Sequence, residues 1–219
     1  MASSWDAEYS TGRYALDRPL PFVQDILACA RRLDLPAGRG LYVGCGNGRN
    51  YLALTDGGLD LVGIDVSGVA LVQLAARAPH LAHSLVHGDL SALPPREAFS
   101  VVIGIQVFQH GCEAEAHAHV GEAAGRILPG GLFCLRVNAA GTDIDYRHQT
   151  SERNTDGGFT VEYQEGPKTG LAVHFFAEAE LTRLLNTFEP VLTLRHDVNK
   201  RTSPRTGHWV QWEGIWRRR

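Results

Sequence analysis

Gly44, Gly46 and Gly48 stand at alternate positions in Tyr42-Val43-Gly44-Cys45-Gly46-Asn47-Gly48-Arg49-Asn50, between an apolar run and a helical pattern. Glycines so placed allow a tight turn and let a ligand reach the backbone without meeting a Cβ. The N–H groups opening the next helix favour an anionic group. The spacing is GxGxG. A dinucleotide fingerprint starting at Gly44 needs glycine at 49, where Arg49 stands and hinders close helix–strand approach around a pyrophosphate. Asp65 ends Leu61-Val62-Gly63-Ile64-Asp65, 17 residues after Gly48. At a strand's C-terminal end its carboxylate is placed to accept from two ribose hydroxyls. The competing role is N-cap of the following helix, which Ser67 can fill instead. In His87-Gly88-Asp89-Leu90, Asp89 can accept from the exocyclic amine of adenine while the Leu90 N–H faces a ring nitrogen. An Asx-turn is the plainer alternative.

For proton transfer the candidate base is His110, in Gln106-Val107-Phe108-Gln109-His110; a capping or packed histidine is the alternative. His148, with Asp143, Asp145, Tyr146 and Arg147 nearby, can line a substrate side or belong to a solvated loop. The N-terminal segment carries Trp5, Tyr9, Arg13 and Tyr14, an unusual aromatic density for a tail. Residues 1–18 are expected to form a lid, with Tyr9 or Tyr14 near the reacting group and Arg13 near a carboxylate. Packing of Trp5 and Tyr14 on a sheet edge fits equally. His117 and His119 are two apart on a predicted helix and face different directions. His80, His83 and His87 have no cysteine or carboxylate support, so no metal site is expected.

Positioning these groups requires alternating strands and helices. The pattern predicts helices over 19–33, 47–56, 67–77, 112–128 and 177–188. Strands are predicted at 40–44, 60–65, 83–87, 99–106, 132–138, 190–197 and 207–216. Pro129-Gly130-Gly131 reads as the stop of the fourth helix. Such alternation means βαβ units with right-handed crossovers: an α/β, doubly wound, mostly parallel sheet covered on both faces. The polar, Gly/Thr-rich stretch 139–170 breaks the pattern and is expected to be an irregular insertion on the substrate side. The last two strands are expected to close the sheet as an antiparallel hairpin.

A length of 219 residues suits one domain spanning 1–219. Hydrophobic residues at 44% exclude a mostly disordered chain. No apolar run reaches eighteen residues and the N-terminus lacks a signal-type core, so no membrane partner and a cytoplasmic location are expected. Four scattered cysteines then read as reduced thiols. A net charge of −3 argues against a dedicated nucleic-acid binder. Residues 195–219 nevertheless carry seven Lys/Arg against two acids.

Together, VGCGNGRN, GIDVS, HGDLSALP, FSVVIGIQVFQH and ILPGGLF, spanning roughly 40–137, resemble the class I S-adenosylmethionine-dependent methyltransferases. The loop, the short length and the C-terminal pattern look most like the tellurite-resistance and thiopurine methyltransferase group. The resemblance implies a Rossmann-like, seven-stranded sheet with an antiparallel C-terminal strand. It also implies S-adenosyl-L-methionine as cofactor, with S-adenosyl-L-homocysteine as product. By motif, Gly44, Gly46 and Gly48 line the methionine part, Asp65 holds the ribose, Val66 packs on adenine, and Asp89 and Leu90 read its edge. Cys45, Asn47, Asn50, Ser67 and Gly88 complete the cofactor set, and Gln106 faces the methionine moiety. His110 and Tyr14 are the catalytic candidates; Tyr9, Arg13, Phe108, Tyr146 and His148 are the substrate candidates. The implied reaction is in-line methyl transfer to an O, N or S/Se atom of a small molecule, by a monomer or homodimer. An RNA methyltransferase, a nicotinamide oxidoreductase and a non-catalytic cofactor binder are the competing readings; Arg49 disfavours the oxidoreductase.

Overall fold

The computed structural model describes residues 2–12, 14 and 17–219, with the side chains of Ala2 and Ser3 left out. The chain divides into two compact units. The first holds the residues up to Gly104 with Gly125–Phe133 and Arg218; the second holds Ile105–Ala124, Cys134–Arg217 and Arg219.

In the first unit, β1 (Gly40–Val43) pairs in parallel with β2 (Leu61–Asp65) and with β4 (Phe99–Ile105), and β2 pairs in parallel with β3 (Leu85–His87). Every residue of β1, β2 and β4 is buried, as strands covered on both faces require. The helices here are α1 (Ala2–Ser10), α2 (Phe22–Arg32), α3 (Tyr51–Asp56) and α4 (Gly68–Arg77). α2 buries Phe22, Val23, Ile26 and Leu27 on one face, and Arg31 and Arg32 sit at its negative end. The core of this unit is built from those residues with Leu41, Tyr51, Leu54, Val102 and Ile103.

Strand β5 (Ile127–Asn138) follows α5 (Glu113–Gly125), so the fourth predicted helix stops earlier than Pro129. Pro129-Gly130-Gly131 lies within the strand. Pro near a strand's start costs no central ladder bond. Gly131 is there because a Cβ would lie 2.6 Å from the Ser100 carbonyl oxygen.

In the second unit the expected irregular stretch 139–170 is largely sheet. β6 (His148–Arg153), β7 (Phe159–Tyr163) and β8 (Ala172–Phe175) form a three-stranded antiparallel sheet. Gly157 turns the β6–β7 hairpin at φ 97°, and the Gly158 N–H donates to Asn154 Oδ1 at 2.7 Å. Val161, Tyr163, Val173 and Phe175 are its core, with Ile144, Tyr146, Phe159 and Trp209 packed against it. Helix α6 (Glu178–Leu184) is shorter than predicted, because β9 (Phe188–Lys200) begins earlier; β10 (His208–Arg218) closes the chain.

The seven-stranded sheet runs β3-β2-β1-β4-β5-β10-β9, so β10 is inserted between β5 and β9 and the hairpin closes the mostly parallel sheet as expected. All four cysteines are free; Cys29, Cys45 and Cys134 are buried and Cys112 is half-buried. No helix of the described residues is long and apolar enough to cross a membrane.

Candidate functional site

The glycine loop leaves β1 in a conformation that demands glycine. Gly44, Gly46 and Gly48 take φ of 69°, 54° and 95°, where an L side chain costs roughly 1–2 kcal/mol. The Gly44 and Cys45 N–H groups donate to the Ile64 carbonyl at 2.8 and 3.1 Å, which ties the loop to the end of β2. A Cβ on Gly48 would lie 2.4 Å from Leu74 Cδ1, so α4 closes on the loop only because that atom is missing.

Asp65 fixes the turn's other side. Its Oδ2 accepts from the Gly46 N–H at 2.7 Å and its Oδ1 from the Ser67 N–H at 2.8 Å. Burial raises its carboxyl above the ordinary range, and the two N–H donors pull it partly back. The N-cap role falls to Ser67, whose hydroxyl oxygen accepts from the Ala70 N–H at 3.1 Å. Asp89 does make the Asx-turn: its Oδ1 accepts from the Ser91 N–H at 2.9 Å and from the Ser91 hydroxyl at 2.6 Å. Leu90 is buried and its carbonyl accepts from Arg126, whereas the Gly88 N–H donates to the Asp65 carbonyl at 2.9 Å.

Several expected ligand residues prove to hold the loops themselves. Asn50 Oδ1 accepts from the Leu20 N–H at 2.9 Å, and its amide donates to the Tyr42 hydroxyl at 3.3 Å. Asn47 is buried; its amide donates to Gln73 at 3.3 Å and its carbonyl accepts from Arg77 at 2.8 Å. Arg49 donates to the Arg18 carbonyl at 2.8 Å. Cys45 is buried beside Asp65, and burial pushes its thiol well up, so it is no thiolate nucleophile. The Val66 carbonyl lies 3.1 Å from His87 Nε2.

The N-terminal segment lies on this site, and through a residue that sequence reasoning missed. Asp6 Oδ1 accepts from the Ser67 hydroxyl at 2.6 Å and from the Val69 N–H at 3.2 Å, placing a carboxylate at the positive end of α4. The Tyr9 carbonyl accepts from Gln73 at 3.0 Å. The Tyr9 hydroxyl projects onto the loop, 2.4 Å from where a Cβ of Gly46 would stand. Burial first, then the Asp65 charge, drives the Tyr9 phenol far above its usual range. Tyr14, expected near the reacting group, instead donates its hydroxyl to Glu8, its ring edge-on to Tyr9 at 5.9 Å. Arg13 lies outside the described residues.

The remaining candidates belong to the second unit. Gln106 has φ 58°, an unusual conformation for a residue with a side chain, and its N–H donates to the Arg136 carbonyl at 2.7 Å. His110 is packed: it bridges to Val173, the next N–H (Gly111) donates to Ala172 at 2.9 Å, and its ring bonds the Gln106 backbone. Burial, reinforced by Lys168, pushes its pKa down to about 3, which holds the imidazole neutral but makes it a weak base. Phe108 is in the core. Tyr146 lies apart, in a cavity of about 370 Å³ lined by Asp145, Lys200, Arg201, Arg205 and Trp209. Arg205 stacks over its ring at 4.9 Å. His148 Nδ1 is 2.8 Å from the Tyr146 carbonyl.

Residues 41–131 match the family described as a methyltransferase domain. The ubiquinone biosynthesis O-methyltransferase of Bradyrhizobium sp. (strain ORS 278) is 31% identical over 109 residues, which is 48% of this chain and 42% of that protein. The match thus spans less than half the length of this curated relative. Among solved structures, the Burkholderia thailandensis 1,6-didemethyltoxoflavin-N1-methyltransferase aligns over 99% of this chain and 88% of its own, with TM-score 0.65 and 16% identity. TehB from Haemophilus influenzae aligns over 90% of this chain and 62% of its own, with TM-score 0.63 and 14% identity. The fold is the Rossmann-like class I fold, and the resemblance in the motifs is borne out.

Proposed function

We propose that this chain, whose residues 41–131 form a methyltransferase domain on the class I fold, transfers a methyl group from S-adenosylmethionine to a small-molecule acceptor. The observation that carries the reading is the clamp at the glycine loop, where the Asp65 carboxylate holds the Gly46 and Ser67 N–H groups together.

The residues fit that cofactor. An ionised carboxylate offers about four lone-pair sites. Asp65 therefore retains acceptor capacity for two ribose hydroxyls. Gly44, Gly46 and Gly48 leave the backbone bare for the amino-acid end; Val66 is placed to pack on the base, with Gly88, Asp89 and Leu90 at its edge. When bound, the cofactor supplies a methyl already activated on a sulfonium. The chain's own task is then to align the acceptor and exclude water. Tyr9 and α1 serve that exclusion by covering the loop, and the Tyr9 phenol stays protonated there and acts as a donor. A His110 with pKa about 3 is poorly matched to take a proton from a phenol of pKa ~10. This favours an acceptor that arrives nucleophilic, such as an amine, a thiolate or a selenide, and assigns no general base. The names of the toxoflavin and ubiquinone relatives support a small-molecule acceptor. So does the basic terminus, where Arg218 donates to the carbonyls of Gly125 and Ile127 rather than standing ready for RNA.

Calorimetric titration of the methyl donor into Asp65→Ala tests the reading. The loss of two hydrogen bonds to a charged acceptor, about 1.5 kcal/mol or more each, predicts affinity lower by about a hundredfold. Unchanged uptake overturns it. Tight uptake by the unmodified protein, without turnover of any acceptor, replaces it with a non-catalytic binder.

A further inference from the structure

We propose that the second unit contains a zinc site, held by His117 Nε2, His174 Nε2 and Glu180 Oε1, which is independent of the glycine loop and of the methyl-transfer reading.

The three ligand atoms come from α5, β8 and α6 and lie within 4.8 Å of one another. His174 Nε2 is 2.8 Å from Glu180 Oε1, and His117 Nε2 contacts the same oxygen. Two imidazole nitrogens and one carboxylate oxygen converging on a point are a borderline-soft donor set. It suits zinc with a fourth position open, and it does not suit calcium or magnesium, which take oxygen cages.

The surroundings are those of a prepared site. His174 Nδ1 is 2.9 Å from the Thr160 hydroxyl, which fixes the ring and leaves Nε2 pointing inward. Glu180 Oε2 accepts from the Ala177 N–H at 3.0 Å, which turns Oε1 toward the two rings. Gly158 supplies the necessary room, since a Cβ there would lie 2.2 Å from Glu180 Oε2. Phe176 packs edge-on against the His174 ring at 4.7 Å and forms an apolar wall. His174 and Glu180 are fully buried, whereas the His117 side chain is 21% exposed, so an ion enters from that side. Glu113, one turn earlier on α5, lies 4.0 Å from His117 Nε2 on the same exposed side, where it or a water completes the coordination. The competing account is a proton-sharing cluster in which Glu180 accepts from both rings and no ion binds.

Tag-free protein, stripped with a chelator, is titrated with Co²⁺ and then with Zn²⁺. One equivalent of Co²⁺ per chain should bind with the strong visible absorption of four- or five-coordinate cobalt, and Zn²⁺ should displace it. His117→Ala, at the most accessible ligand, should lower affinity by about a hundredfold or more, and Thr160→Val by about tenfold. Should His117→Ala fail to fold, His117→Gln is read the same way. Absence of saturable cobalt binding, or a His117 variant that binds like the unmodified protein, overturns the site.

Discussion

The glycine loop and the three-stranded sheet region use polar groups in opposite ways. At the loop, backbone N–H groups carry the polarity and one carboxylate gathers them, so what matters is the absence of side chains. In the second unit, side chains carry it: two imidazoles and a carboxylate are buried together on rigid elements. The loop should therefore be sensitive to an added methyl, and the buried cluster to a removed functional group.

The largest expected effect is at the cluster. Glu180→Ala leaves two ring N–H groups in a dry site without their acceptor, at roughly 1–3 kcal/mol each. A loss of about 3 kcal/mol in urea denaturation is expected, with methyl-donor affinity unchanged because the loop shares no partner with it. A loss below 1 kcal/mol would remove the contrast. Gly46→Ala should cost about 1–2 kcal/mol from the left-handed backbone alone. It should also displace the Tyr9 hydroxyl, visible as a phenol titrating nearer its usual range. A variant as stable as the parent would mean the loop tolerates side chains after all.

The smallest effect sharpens the comparison at the loop's cover. Asp6 is held below its ordinary value of 3.8, first by the Ser67 hydroxyl and then by the Val69 N–H. A carboxyl whose folded pKa is depressed contributes stability above its unfolded pKa and loses it as pH falls through the folded one. Below about pH 4, α1 should therefore release from α4, with a change in Trp5 fluorescence. Asp6→Asn should weaken that docking already at neutral pH. An acid response identical in Asp6→Asn would assign the release to another group.

The loop was legible because its signals are local: three glycines after an apolar run, then an acid at the next strand's end. Ser67 as cap and the order of the parallel strands followed from the same short-range pattern. Two local signals were misweighed. Phe159-Thr-Val-Glu-Tyr163 alternates between glycine pairs as a strand does, yet the surrounding polarity hid it. Pro129-Gly130-Gly131 carries helix-stop chemistry but serves β5, because Ile127 is already buried in the sheet. The cluster was illegible for a different reason. His117 and Glu180 are 63 positions apart, and only the fold of α5 over β8 joins them. His117 was weighed against His119, its neighbour in sequence, and so looked unpaired. Asp6 was missed similarly, since capping a helix 61 positions away leaves no mark in local spacing.

Three of the four thiols are sealed in the interior, and only Cys112, just ahead of α5, is within reach of a reagent. A maleimide dye therefore has a single address on this polypeptide without any engineering. Because that address adjoins the helix bearing His117, its fluorescence offers a direct optical report on whatever settles beside that imidazole.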